Sequence, residues 1–394
     1  MSRWLLRPLG DICSTTSGGT PSRTHSEYFG GAIPWIKSGD LTDGEVVNCD
    51  ETITDEALRN SSAKLLKQGS VLIAMYGATV GKLGMLGREA ATNQAVCGIS
   101  TPSELDRWFL FYFLLSQRQK LIEQSTGGAQ PNINQKIVRE LLVPIPPLPE
   151  QRRIVDLLSR AEGIVRLRRE AEKKAAGLVQ GIFLEMFGDP ATNPKGWPIS
   201  RIADFSTLIT SGSTPRGGSD VYVNQGPYFI RSQNVLMNRL DLSEAAHITP
   251  EIHSQMARTS VAVGDVLLNI TGASIGRVAW VESLNGDANV NQHVCIIRLN
   301  PNLCHPTYLS VCLSMPYYQM LINTVQAGAS RQALNHAQVR SLPVLKPPQQ
   351  LQKQFADRMR MVMSIQTQQA SATSRAQAVF GTLLGRVFHT VGSS

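Results

Sequence analysis

The chain is written twice. Ser17-Gly18-Gly19-Thr20-Pro21 returns as Ser211-Gly212-Ser213-Thr214-Pro215, and Ile36-Lys37-Ser38 returns as Ile230-Arg231-Ser232. Gly77-Ala78-Thr79-Val80-Gly81-Lys82 comes back as Gly272-Ala273-Ser274-Ile275-Gly276-Arg277, and Asn93-Gln94-Ala95-Val96-Cys97 as Asn291-Gln292-His293-Val294-Cys295. The order is kept and the offset drifts by only a few residues, the mark of a tandem duplication with small insertions. A duplicated chain has approximate internal two-fold symmetry, which suits a target or a partner that also comes in pairs.

With 394 residues there is room for two domains, each with its own core. The longest strongly apolar run, Trp108 to Leu115, is too short to cross a bilayer. The start, Met1-Ser2-Arg3-Trp4, carries no apolar stretch of signal-peptide length, so a cytoplasmic location is expected, away from membranes. Six scattered cysteines form no C-x-x-C pair, which suits reduced thiols in a reducing compartment. Cys304-His305 with Cys312 is the nearest approach to a metal cluster and lacks a fourth ligand. The net charge of +8 is concentrated after residue 188, where 16 basic residues face 10 acidic ones. That surplus permits a polyanionic partner without requiring one.

Each half has the same plan: a globular stretch, a proline-rich junction and a long proline-free segment. The expected boundaries are 1–149 for the first head, 150–187 for a long helix, and 188–196 for a linker. The second head is expected over 197–348 and a second long helix over 349–388. Prolines at 144, 146, 147 and 149 forbid a regular helix through the first junction. Beyond it, Ile154, Leu157, Ala161, Ile164, Ala171, Ala175, Leu178 and Ile182 fall on a heptad seam interrupted by Arg168. The second helix offers Phe355, Met359, Val362, Ile365, Ala372, Ala376, Val379 and Leu383, with a polar middle at Gln366, Gln368 and Gln369. Two narrow seams at equivalent places predict an antiparallel helical pair, each helix roughly 57 Å long, holding the heads apart. Packing of each helix on its own head is the alternative. Within the heads, 69–76 and 264–270 read as short buried strands, so the expected class is α+β.

The repeated Gly-Ala-[Thr/Ser]-x-Gly-[Lys/Arg] loops allow close backbone approach to an anion, with Thr79 and Lys82 or Ser274 and Arg277 beside it. The glycine spacing is wrong for a nucleotide-binding loop, and no Ser or Thr follows Lys82. A cation set against a DNA backbone and a plain tight turn both remain open. Asn93-Gln94 and Asn291-Gln292-His293 either read adenine edges or tie down a local turn. Gly127 to Asn134, with Gln130 and Asn132, matches Gly328 to Asn335, with Ser330, Arg331 and Gln332; either loop suits phosphate or base contact, or a simple connection. No nucleophile motif, no H-E-x-x-H, no nuclease-like acidic pair and no Asn/Asp-Pro-Pro-aromatic methyltransferase element occurs.

Together these elements, with the closing Pro146-Pro147-Leu148-Pro149-Glu150-Gln151-Arg152, resemble the DNA-specificity subunit of type I restriction–modification enzymes over nearly the whole chain. The resemblance implies two target-recognition domains related by a pseudo-two-fold axis and separated by two long antiparallel coiled-coil helices. Each domain would read one half of a bipartite, asymmetric site on double-stranded DNA. Two methyltransferase subunits would dock on the helices and two restriction subunits would complete the assembly. S-adenosylmethionine would belong to the former, ATP and Mg to the latter, and no cofactor or metal to this chain. The subunit itself would be non-catalytic. A related assembly with a fused methyltransferase–nuclease partner and a scaffold that binds no DNA are the alternatives. Further DNA-contact candidates are Arg23, Tyr76, Arg216, Asn234 and Thr271, beside Thr20, Lys37, Ser38, Thr214, Arg231 and Ser232 in the repeated motifs.

Overall fold

The computed structural model describes residues 4–124, 132–326 and 333–388. It divides into two units, each a mixture of helix and strand. One joins Met1–Arg169 to the stretch from Ser371 onward; the other is Glu170–Ala370. The chain therefore passes between units twice, each time within a long helix. Those helices run Leu148–Phe187 and Gln349–Phe388, 40 residues each. The first begins two residues before the expected start. Pro149 falls in its first turn, where a missing N–H costs no helical hydrogen bond.

The first unit is built on a five-stranded sheet. Ser14–Ser17 pairs with Val96–Ser100, which pairs with Val71–Ala74, then Leu83–Leu86 and Gly44–Val46. In the second unit Ser206–Ser211, Val294–Leu299, Val266–Asn269 and Val278–Trp280 follow the same order. The central strands are buried along both faces, so they read as unbroken apolar runs rather than alternating ones. A second, smaller sheet in each unit contains a parallel pair: Phe29–Ile36 beside Ala90–Thr92, and Val223–Ile230 beside Ala288–Val290. The apolar run at 108–115 lies in the helix Arg107–Glu123, started by Asp106 accepting from the N–H groups of Trp108 and Phe109.

Each unit closes its core with the end of a helix that begins in the other half of the sequence. In the first unit Phe388 lies edge-on to Phe109 and Phe113, with centroids 5.3 and 5.7 Å apart. Ile154 and Leu158 belong to the same core. In the second unit Phe183 and Phe187 meet Phe355 at 5.8 and 5.2 Å and flank Tyr308, whose hydroxyl donates to the Leu345 carbonyl at 2.7 Å. Further along, the Gln366 amide donates to the Ala175 carbonyl at 2.9 Å. Residue numbers rise on one segment as they fall on the other, so the pairing within this unit is antiparallel. The helices thus pair and also pack into the heads, combining what the sequence offered as alternatives.

The seam is only partly as expected. Ile154, Ala175, Phe355, Met359 and Val362 are buried, and Ala161, Ala171, Ile182, Ala376 and Leu383 are partly so. Leu157, Ile164, Leu178, Ile365 and Val379 are exposed. Burial falls on Leu158 and Val165 instead, with Val179 and Phe380 half-buried and Gln366 facing its partner. The heptad alternates spacings of four and three, and the helices adopt the phase opposite to the expected one. Neighbouring apolar residues at 157/158, 164/165, 178/179 and 379/380 make the two phases equal in pattern, and only packing separates them.

The segment after Phe187 is a built cap. Gly188 N–H donates to the Leu184 carbonyl, Trp197 Nε1 to the Phe187 carbonyl at 2.9 Å, and Lys195 Nζ to the Glu185 and Met186 carbonyls at 2.8 and 2.9 Å. These donors occupy the carbonyls that a helix end leaves free. The corrected seam gives a direct test by denaturant unfolding of the full chain. Leu158→Ala should cost about 2–5 kcal/mol, whereas Leu157→Ala should stay within about 0.5 kcal/mol. Equal costs would return the seam to its first phase.

Candidate nucleic-acid interface

In both units the repeated motifs converge on one loop. The Asn-Gln turn receives the glycine-rich segment (Gly19 N–H to Thr92 carbonyl, 2.9 Å; Gly212 N–H to Asn291 carbonyl, 3.2 Å). It also reaches the Ile-[Lys/Arg]-Ser strand end, through Asn93 N–H to Ile36 and Asn291 N–H to Ile230, both 3.0 Å. The strand leading to the glycine turn joins it as well, Met75 N–H to Ala95 at 2.7 Å and Ile270 N–H to His293 at 2.9 Å. On the other side that strand holds the next loop, by Ile133 N–H to Met75 and Leu334 N–H to Ile270. Segments far apart in sequence therefore meet at one end of the central sheet, twice over.

Much of the motif conservation between repeats is structural. A Cβ on Gly18 or Gly212 would collide with the backbone carbonyl of Thr92 or Val290, so neither position admits a side chain. The hydroxyls of Thr20 and Thr214 donate to the Oε1 atoms of Gln94 and Gln292, fastening the two loops side by side. Asn93 Oδ1 accepts from Ala95 N–H at 3.2 Å and Asn291 Oδ1 from His293 N–H at 3.1 Å. Both amides thus tie their own turn, one of the two readings left open. Asn291 is buried, as is Asn234, which accepts from Arg231 N–H at 2.9 Å and donates to the Asp241 carbonyl at 3.1 Å. Both polar atoms of Asn234 and the Oδ1 of Asn291 are engaged within the fold, which corrects the expectation that these groups face DNA. Tyr76 is bonded to Gln94, and burial raises its phenol above the usual range. Its counterpart Thr271 is bonded to His293.

The Gly-Ala-[Thr/Ser]-x-Gly turns superpose in chemistry. Gly77, Gly81, Gly272 and Gly276 all have φ between +76° and +85°, where a side chain is strained. Lys82 N–H donates to the Thr79 carbonyl and Arg277 N–H to that of Ser274. From behind, Arg118 Nε and Gln319 Nε2 donate to the Gly81 and Gly276 carbonyls at 2.8 and 2.9 Å. The turn is locked, and the side chains of Lys82 and Arg277 stand exposed at its end. Thr20, Arg23, Gln94 and Asn132 are exposed in the first unit, and Thr214, Arg216 and Gln292 in the second. Lys37, Ser38, Tyr76, Thr79, Asn93, Arg231, Ser232, Thr271, Ser274 and His293 are half-buried among them. Gln130, Ser330, Arg331 and Gln332 lie outside the described residues.

Two candidates in the first unit are ion-paired. Glu51 accepts from Arg23 at 2.7 Å and Lys37 at 2.8 Å, and Arg23 lies over the Phe29 ring at 4.4 Å. Hydrogen bonds from Arg23 and then Lys37 pull the Glu51 carboxyl down to about 2. Sequence reasoning passed over Glu51 because it has no repeat: Ala246 takes its place. Gln151, part of the closing motif, and its match Gln352 are both buried, and the sequence motif assigns them no role. Gln151 accepts from Asp106 N–H and donates to the Glu104 and Pro146 carbonyls; Gln352 accepts from His305 N–H and donates to Pro347. These glutamines bind each long helix to its own head, and their repetition was the available signal.

No group of three or more His, Cys, Asp or Glu among the described residues is arranged to hold a metal. All six cysteines are free, and burial pushes the matched Cys97 and Cys295 thiols up to about 12. No helix among the described residues is long and apolar enough to cross a membrane.

The family model of the type I restriction modification DNA specificity domain matches residues 1–175 and again 194–372. The chain belongs to that family. It is 25% identical over 237 residues to the type I restriction enzyme MjaIX specificity subunit of Methanocaldococcus jannaschii, an alignment covering 54% of each chain. The aligned part thus spans about half the length of that relative. It is 20% identical over 415 residues to the EcoKI specificity subunit of Escherichia coli K12, covering 98% of this chain and 88% of that one. The crystal structure of a type I restriction–modification S subunit from M. genitalium shares its fold, with a TM-score of 0.61 at 16% identity over 98% and 96% of the two chains.

Glu51→Gln tests the ion-paired corner through pH. The Glu51 pKa is lowered on folding, from ~4.3 in an unfolded chain to about 2. Its stabilising contribution is therefore present above the unfolded value and lost as pH falls through the folded one. The stability gap between wild type and Glu51→Gln should be full near neutrality and close as the medium is acidified. A gap independent of pH would show that the carboxylate charge is not what holds Arg23 and Lys37.

Proposed function

We propose that this specificity-family chain reads a bipartite, asymmetric site on double-stranded DNA, one half with each unit. The observation that carries the proposal is the doubled convergence. In each unit the same five segments meet at one sheet end and present an exposed cation on a locked turn, while the side chains around it differ. A pinned cation at the same place in both repeats suits the sequence-independent phosphate backbone, and the varied surroundings suit base edges.

On this reading the DNA contacts come from the exposed and half-buried candidates described above. Lys82 and Arg277 address phosphates, and the Thr20–Gln94 and Thr214–Gln292 pairs shape the surface beside them. The long helices dock two methyltransferase subunits, and two restriction subunits join them. Chemistry belongs to those partners: methyl transfer from S-adenosylmethionine in one, ATP- and Mg-dependent work in the other. This chain orients the target and catalyses nothing. The pairing of two 40-residue helices supports a role in setting the unread spacer between half-sites.

Adenine methylation mapped in cells that express the cognate methyltransferase subunit, with and without this chain, tests the proposal. A split motif that vanishes without the chain is the expected result; methylation indifferent to its presence would leave a scaffold. Lys82→Ala and Arg277→Ala should each weaken binding across all sequences and lower the salt slope by about one, without unfolding the protein. Unchanged affinity in both would remove these turns from the interface. Deleting one heptad from the helix at 150–187 should change the spacer and leave both half-sites intact, and altered half-sites would deny the helix its spacing role.

A further inference from the structure

Lys37 and Arg231 occupy the same place in the two repeats. Each opens a turn in which its N–H donates to a side chain three residues on, Asp40 at 2.7 Å or Asn234 at 2.9 Å. Around that shared backbone the chemistry diverges. In the first unit Trp35 N–H donates to the Glu51 carbonyl, and the Glu51 carboxylate holds Lys37 and Arg23. In the second unit Phe229 stands where Trp35 does and pairs with Ala246. Thr54 and Thr249, three residues beyond Glu51 and Ala246, both cap a short helix, which secures the correspondence. The carboxylate has been replaced by a methyl group.

Arg231 consequently has no acid at that position. Among the described residues its buried Nε has no hydrogen-bond partner, and its guanidinium carbon lies 5.6 Å from the Tyr222 ring centre. The backbone beneath it is pinned more firmly than in the first unit. Asn269, fully buried, donates to the Ser232 carbonyl at 2.8 Å and to Ser274 Oγ at 3.1 Å, whereas Ala74 stands at its place in the first repeat. A guanidinium on a fixed backbone, beside an aromatic face and without an internal carboxylate, is a donor fork awaiting an acceptor. Among DNA groups the paired O6 and N7 atoms of guanine match that fork and carry sequence information. Phosphate-directed cations are expected to recur alike in both repeats, as Lys82 and Arg277 do. At 37 and 231 the ion-pair partner and the supporting residue both differ.

We propose that Arg231 is a base-reading residue of the second unit, taking the O6 and N7 edge of a guanine, and that Glu51 withholds Lys37 from that role in the first. The inference rests on the DNA-reading function proposed above.

The test uses the full chain with its methyltransferase partner, reading out the methylated motif and binding to duplexes over a range of salt. Arg231→Ala should lose discrimination at one guanine of one half-site by about 10–100-fold, leaving the other half-site intact. Ala246→Glu, which reinstalls the carboxylate, should act in the same direction. Arg231→Lys should lose the discrimination while keeping the salt slope, a result that a folding defect would not produce. Glu51→Gln should leave that half-site unchanged and alter base preference in the other; an unaltered preference there would refute the withholding of Lys37. An unchanged motif in Arg231→Ala, or an even loss over all sequences with a shallower salt slope, would overturn the assignment. A wild-type chain that directs no motif at all would instead defeat the DNA-reading proposal beneath it.

Discussion

The two long helices cross the division between the units, and the rest of the fold depends on that exchange. Phe388 completes a core of the first unit, with Phe109 and Phe113 around it. Phe183 and Phe187 complete one in the second, against Tyr308 and Phe355. An aromatic side chain removed from such a cluster leaves a cavity that the remaining rings fill poorly. Each half of the duplicated sequence therefore lacks part of its own core. Each unit is thus completed by packing that its own repeat of the sequence does not supply.

Around that frame the repeated motifs serve mainly as struts. The glycines of the Ser-Gly-x-Thr-Pro segment exist because a carbonyl of the neighbouring loop lies where a Cβ would be. The threonine two residues on fastens the same loops through a glutamine, and the asparagine before that glutamine closes its own turn. This internal spending of polar groups leaves a small set of side chains facing outward. The arrangement suits a pair of units that share a scaffold and differ at their surfaces, since a locked backbone can carry varied side chains at Glu51/Ala246 and Tyr76/Thr271.

Legibility in the sequence followed the same division. The duplication, both long helices and the convergence-prone motifs were visible because repetition and periodicity are local patterns. Burial of Ile154, Phe355 and Met359 was visible too, as members of an apolar stripe at helical spacing. The phase of the seam was not, because Leu157 and Leu158, or Ile164 and Val165, are equivalent until a partner helix chooses between them. Nor were the roles of Asn234 and Asn291: an amide in a turn sequence looks the same whether it faces solvent or its own backbone.

By itself, then, the sequence determined that there are two copies of one α+β unit, two long helices and the family to which the chain belongs. The tertiary structure alone decided which helix face is buried and which half of each helix serves which core. It also decided which cations are already paired, as Lys37 is with Glu51, and which lack a carboxylate, as Arg231 does at the matched position. The physical reason is the range of the interactions. Helical periodicity and turn chemistry act over a few residues, whereas a seam's phase and an ion pair's partner depend on groups brought together from distant parts of the chain.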